Sequence, residues 1–366
     1  MNFYILGSKT RRPASRKTIF VDGTHDDSFR EGVDLELSHW IPNRTPDRFR
    51  ADTSTEICMN FIREELTDEW DLAINNHLDV DGVLSVFTLL HPDFAQKYRT
   101  VIVEAAEMGD FWAWGEEGAQ RLFQGLTLKM KALRGAKTDI RRIYEECFEE
   151  VFRLVEDAHP NVWVQTGMDA LRESVDRVER GEICRTVVHP RLVHYAIPRH
   201  LAEASLIKAL HIPTFNAPLS DDMWLHPQTR NRLDREKVHL VSVDTERGTY
   251  YDLWYPGYMW ADTPNSWRAP GFYFSGSTNG YYYGHRPLEK AVEKLGAIEP
   301  NRGRWIIARE LSPFSSITGR NYPVVVSFMG EDGSPAPSGI SSDSVAEILS
   351  EAFAESHHFG LKELNR

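Results

Sequence analysis

Three residues within five positions carry the densest chemistry in the chain: His77, Asp79 and Asp81, in the string HLDVDG. Alternate residues of an extended segment point the same way, so an extended chain here would turn one imidazole and two carboxylates to one side. Imidazole with carboxylates suits Mn²⁺, Mg²⁺ or Zn²⁺, and an oxygen-rich set favours the first two. Gly82 permits a tight turn and a close approach of backbone to a ligand. Ser85, in the first turn of a following helix, is placed to bind a phosphate at the positive helix end. The structural alternative is a solvated turn in which Asp81 caps the next helix.

The flanking residues predict elements that would position these groups. Leu72, Ala73 and Ile74 form an apolar run expected to be a strand, and Val83, Val86, Phe87 and Leu90 follow with helical spacing. Strand, acidic turn, helix is the order in which α/β folds present ligands at the carboxyl ends of strands. Two more segments read the same way. TIFVD (18–22) is a short apolar strand running into Gly23, Thr24, His25, Asp26 and Asp27, and Thr100 to Val103 reads as a strand ending near Glu104, Glu107 and Asp110. Three strands ending in acids predict one metal-lined crevice, with Asp22 and Asp110 joining His77, Asp79 and Asp81 as ligands. His25, Asp26 and His77 are the candidates for acid/base work. The turn-rich loop LSHWIPNRTP offers His39 and Arg44 as substrate contacts, with metal ligation and simple packing the alternatives for His39. Thr53 and Ser54 cap a predicted helix through Ile57, Phe61 and Ile62 to Leu66.

The string HLDVDGVLS resembles the first motif of the DHH phosphoesterase superfamily, H-x-D-x-D-G-x-x-S after the first strand of an α/β domain. His77, Asp79, Asp81, Gly82 and Ser85 match it. The resemblance implies metal binding by His77, Asp79 and Asp81. It also implies a cytoplasmic, metal-dependent hydrolase of phosphodiester or phosphoanhydride bonds, commonly using two Mn²⁺ ions, in a divergent bacterial branch. The superfamily's Asp-His-His triad is not in the sequence, and the Asp22 to Asp27 cluster is the candidate source of the remaining ligands.

From Thr186 the composition changes. TVVHP, RLVHYAIP and VHLVSVD read as strands, with a helix from His200 to Leu210 between them and a hairpin turning at Glu246-Arg247-Gly248. GFYFSGSTNGYYYGHRP is aromatic and glycine-rich. His285 and Arg286 there would hold a phosphate beside stacked bases, unless the segment is a β-hairpin with aromatic cross-strand pairs. A helix from Leu288 to Leu295 and strands at Trp305 to Arg309 and Pro323 to Phe328 follow. The expected fold class is α/β: a DHH-like parallel-sheet, metal-binding region over 1–185 and an α+β, substrate-binding region over 186–366.

Bulk properties narrow the function. The chain has 366 residues and a net charge of −12, which argues against a broad nucleic-acid surface. Cys58, Cys147 and Cys184 are far apart and form no CxxC, as expected in a reducing cytoplasm without a thiolate zinc site. The N-terminus has too short an apolar run for a secretory signal, and no run of about 18 apolar residues predicts a membrane span. The reading that joins these features is a cytoplasmic hydrolase that uses Mn²⁺ or Mg²⁺ to lower the pKa of water. Its substrate would be a small phosphoester, a phosphoanhydride or a short nucleotide. The alternatives are a metal-dependent enzyme acting on a non-phosphate small molecule and a catalytically inactive ligand-binding relative. The expected partner is a small molecule or nucleotide, not long nucleic acid or a membrane, and a homodimer is compatible with this reading.

Overall fold

Four short strands make the sheet of the first half in a computed structural model of the chain: β1 (Asn2–Ile5), β2 (Thr18–Val21), β3 (Leu35–Leu37) and β4 (Leu72–Asn75). All are parallel, in the order β1-β4-β2-β3. Every residue of β2 and β4 is buried, as befits a parallel sheet covered on both faces. The structure describes residues 1–64, 69–156, 161–263, 281–282, 286–308, 310–311, 316–317, 320–321 and 323–354. The chain divides into one unit of Met1–Asp169, Phe215–Leu219 and Ala261–Asn265, and another of Ala170–Thr214, Ser220–Trp260 and Ser266–Arg366.

Helices α1 (Ser54–Glu64), α2 (Val80–Leu90), α3 (Pro92–Lys97), α4 (Arg99–Phe111), α5 (Glu117–Gly135) and α6 (Ile140–Glu156) complete the first unit, and α7 (Val162–Glu179) contains the division after Asp169. Helix α2 is buried on nearly all sides, with Val83, Leu84, Val86 and Phe87 fully buried. Each such side chain contributes about 1.5–3 kcal/mol by burial, so the helix that starts at the acidic turn is anchored along its length.

Two expectations about this unit are corrected. The segment from Thr100 to Val103 is helix, not strand, and belongs to α4. Its β-branched residues suggest a strand, but Ile102, Ala105, Ala106 and Gly109 fall at helical spacing and are buried. The helix packs on α2 and α5, and that burial outweighs local propensity. The acidic turn also does not stay extended. Asp79 is the N-cap of α2, and Asp81 lies in its first turn, so the two carboxylates do not point the same way.

The second unit contains a six-stranded sheet in the order β10-β14-β8-β7-β6-β5. Its strands are β5 (Cys184–His189), β6 (Leu192–Ile197), β7 (Val238–Thr245), β8 (Gly248–Trp254), β10 (Arg304–Ile307) and β14 (Val324–Met329). Only β6 and β7 run parallel; the other neighbours are antiparallel. The β7–β8 hairpin turns at Glu246-Arg247, as the sequence predicts. Between β6 and β7 lie α8 (Arg199–Ala204), α9 (Leu206–Leu210) and α10 (Pro227–Asp234). The single helix expected from His200 to Leu210 is broken at Ser205, whose hydroxyl caps α9 by accepting from Lys208 N. Two short ribbons pair β9 (Tyr281–Tyr282) with β11 (Glu310–Leu311) and β12 (Ser316–Ile317) with β13 (Arg320–Asn321). Helices α11 (Arg286–Ile298) and α12 (Ser342–Ala354) follow β9 and β14 in the chain. No helix among the described residues is long and apolar enough to cross a membrane.

Candidate metal centre

The carboxyl ends of β2, β3 and β4 converge, and the last turn of α4 joins them. Strand β2 ends at Asp22, which has φ 48°, followed by Gly23 at φ 84°. A left-handed Asp is uncommon and costs of order 1 kcal/mol, and such residues cluster at functional sites. A side chain at 23 would fall 2.4 Å from Asn76 Oδ1, so glycine lets this turn sit against the end of β4. The turn aims Asp22 inward, and the residue is buried. Its Oδ1 accepts from Trp40 Nε1 and Ser54 Oγ, both at 3.0 Å. Its Oδ2 lies 3.1 Å from His77 Nε2, outside hydrogen-bond geometry. Burial raises the proton affinity of Asp22, but the charges of His77 and His39 and the Ser54 hydroxyl outweigh it and hold the pKa down to about 2.

Each histidine at the centre is oriented through its outer nitrogen. His77 Nδ1 is 2.7 Å from Asn76 Oδ1, and its Nε2 is 2.8 Å from Asp79 Oδ2. Tyr144, on α6, donates to the His77 carbonyl at 2.7 Å. His39, two residues past β3 and fully buried, places Nδ1 2.7 Å from the Asp52 carbonyl. Its Nε2 then lies 3.6 Å from Asp22, 3.7 Å from Asp81 and 3.4 Å from Asp110. A ring nitrogen that donates to an amide or backbone oxygen leaves the other as a lone-pair donor, the usual arrangement of a metal-binding histidine.

Asp79 Oδ1 caps α2 through Gly82 N at 2.7 Å, leaving Oδ2 toward His77. A Cβ at Gly82 would fall 2.5 Å from Asn75 Nδ2, so only glycine lets this first turn approach β4 so closely. Asp81 accepts from Ser54 N and Thr55 N, both at 2.8 Å, and so sits on the N-terminus of α1. Carboxylate oxygens have two lone pairs each, so these bonds leave acceptor capacity. Burial and the neighbouring Asp22 push the Asp81 carboxyl up to about 6. Burial and then Asp79, Asp81 and Asp22 raise Asp110 well above the ordinary carboxylate range.

Two donor groups result, Asp22 with His77 and Asp79, and Asp22 with His39 and Asp81. Asp22 belongs to both. Metal–donor bonds of about 2.1 Å put neighbouring donors about 3–3.5 Å apart. The separations of 2.8 and 3.1 Å around His77, and 3.4 to 3.7 Å around His39, span that range. The residues present fit divalent cations.

The remaining sequence candidates lie elsewhere. His25 Nδ1 is 2.6 Å from Glu36, a buried residue of β3. Asp26 pairs with Arg12 at 3.0 Å. Both residues line a cavity of about 260 Å³ that Arg44 also borders, and neither belongs to the two donor groups. Arg44 pairs with Glu31 at 3.1 Å on an exposed rim. Ser85 is fully buried, its hydroxyl 3.3 Å from that of Thr55, so it does not face a crevice. His285 and the side chain of Arg286 lie outside the described residues. The sequence left His39 as a ligand, a substrate contact or a packed loop residue, because β3 is three residues long with Glu36 at its centre and no apolar run announces the strand that brings His39 to the centre.

Residues 3–189 match a family of unknown function, DUF6687, and the chain belongs to that family. No curated protein and no solved structure matches the chain.

Proposed function

We propose that this protein is a metal-dependent hydrolase of a small phosphoester, phosphoanhydride or short nucleotide. The observation that carries the reading is Asp22, one carboxylate shared by two donor groups at the ends of parallel strands. The resemblance of His77, Asp79 and Asp81 to the DHH first motif supports phosphorus as the reacting centre. Aspartate oxygens with one imidazole per group favour Mn²⁺ or Mg²⁺. Bound ions would supply Lewis acidity, lowering the pKa of water and offsetting charge on phosphoryl oxygens.

The chain's own residues do the positioning. Asn76 and the Asp52 carbonyl fix the rings of His77 and His39. Asn76 also donates to the Thr24 carbonyl at 2.9 Å, tying the centre to the loop that carries His25. Glu36 holds His25 by Nδ1, leaving Nε2 to donate a proton to a leaving oxygen. Arg44, at the same cavity, would exchange its exposed Glu31 partner for a phosphate.

The test is metal analysis of the purified protein, then Mn²⁺-supported hydrolysis of bis-p-nitrophenyl phosphate and a dinucleotide. Bound metal and turnover, both lost in Asp22→Asn, are expected. A protein that takes up no divalent ion, even with Mn²⁺ added, would overturn the proposal. Metal uptake without cleavage of either substrate would replace phosphate with a non-phosphate substrate.

A further inference from the structure

The metal centre opens to solvent at two of its donors. The side chains of Asp22, His39 and Asp81 are fully buried, and that of Asp110 is nearly so. Those of His77 and Asp79 are 28 % and 16 % exposed. A substrate therefore meets the centre at His77 and Asp79. The side chains that line this face are acids and imidazoles, so an anion arriving there needs a fixed positive charge nearby.

The residue between the two exposed donors brings that charge in. Arg134, at the end of α5, donates from Nη2 to the Leu78 carbonyl at 2.6 Å. By ordinary peptide dimensions this nitrogen lies within about 5.5 Å of the Asp79 Cα. The side chain is exposed, and among the described residues no carboxylate pairs with it. Arg12, Arg44, Arg99 and Arg141 of the same unit each pair with an acid. A guanidinium held by a neutral carbonyl is fixed in place yet keeps its full charge and four further N–H donors. Asp139, five residues on, accepts from Lys9 N at 2.8 Å just past β1, and Arg141 reaches the Phe3 carbonyl at 2.7 Å. Strand β4 lies between β1 and β2. Arg134 thus approaches His77 from the β1 side, opposite the β2 loop that carries His25.

We propose that Arg134 binds the phosphoryl oxygens of the substrate at the mouth of the metal centre. This rests on the hydrolase reading and names a substrate contact of that same site. A guanidinium matches two phosphate oxygens at once, which a point charge does not.

The probe is inorganic phosphate, titrated by calorimetry into the full-length protein with Mg²⁺ present, alongside metal analysis of each variant. Arg134→Gln should bind phosphate roughly tenfold to a hundredfold more weakly, the loss of a charge-assisted pair, and keep full metal uptake. Arg134→Lys should recover part of the affinity, since it restores the charge but not the fork, and it tests the site should the glutamine variant fail to fold. Arg121 makes the same kind of bond, to the Leu154 carbonyl at 2.9 Å, at the other end of α5, so Arg121→Gln should match the wild type. A metal-loaded wild type without affinity for phosphate would overturn this proposal and leave the metal centre standing. So would an affinity that neither Arg134 variant changes. Loss of metal uptake in Arg134→Gln would also overturn it, making the arginine a brace for the turn. A wild type that takes up no divalent ion would overturn the metal reading and this one together.

Discussion

The metal centre of the first unit and the sheet of the second both gather carboxylates, and they handle the charge in opposite ways. In the second unit the fully buried Asp234 side chain is bound by Arg185 at 2.7 Å, Lys237 at 2.6 Å and the Tyr195 hydroxyl at 2.6 Å. Asp252 is matched by Arg320. Among the described residues, Asp22, Asp79 and Asp81 of the first unit form ion pairs with His77 and His39 alone, with no lysine or arginine among their partners. A buried carboxylate with its cations in place is a structural joint that requires nothing more. Carboxylates gathered around two imidazoles leave negative charge in excess, which a metal ion would relieve. The partner, not the residue type, separates a brace from a ligand.

The largest expected effect breaks the comparison at its centre. Replacing Asp22 with Asn should abolish metal uptake and lower kcat by 100-fold or more, since even outer-shell changes at metal sites cost about 10–100-fold. A variant that keeps its metal and its rate would put Asp22 with the braces. Next comes pH, where the two units should move in opposite directions. In metal-free protein, Asp81, Asp110 and His77 all have raised pKa values. Their stabilising contributions are full below the unfolded values and are lost as pH rises through the folded ones. For Asp81, moving from 3.8 to about 6, this is about 3 kcal/mol. Asp22, held to about 2, changes only in more acidic solution. In the second unit His226 and His239 are depressed to about 4 and about 3, burial being the main cause. Their contributions are full above 6.5 and are lost as pH falls, together about 5 kcal/mol between pH 7 and 4.5. Hydrogen exchange in EDTA, corrected for intrinsic rates, should show protection in α2 falling from pH 5 to 8 while that in β7 rises. The same sign in both would end the comparison.

Asp234→Asn should cost about 2 kcal/mol by urea denaturation, because two partly exposed cations and a tyrosine lose their acceptor. The same substitution at Asp22 should cost a similar amount in metal-free protein near pH 7, since the amide oxygen still accepts from Trp40 and Ser54 but the charge paired with His77 and His39 is lost. The smallest effect is at the rim. Arg44→Ala should raise KM several-fold and leave kcat unchanged, the mark of uniform binding.

The sequence made some of this legible and hid the rest for physical reasons. Strands β2 and β4 and helices α1 and α2 follow from unbroken apolar runs and capping residues. They delivered Asp22, His77, Asp79 and Asp81 as candidates. Asp110 was found for the wrong reason: α4, not a strand, brings it in, because its β-branched start is overruled by packing on α2 and α5. His39 could not be singled out as a donor, over a substrate contact or a packed residue, while β3 was invisible. Strand β3 is held by its partner β2, and its central Glu36 is buried only because His25 and the Arg44 amide bind it. Long-range pairing of that kind leaves no local pattern.

Asp79 and Asp81 look equivalent in the motif, but they constrain the history of the family unequally. The capping role of Asp79 is one that Asn, Ser or Thr also performs. A lineage that abandoned the metal could therefore drift at 79 with its fold intact. Asp81 uses both oxygens on the first two amides of α1, a task no neutral side chain repeats. Descendants that no longer bind metal should lose the acid at 79 first and keep the one at 81, a fossil of the site preserved by folding alone.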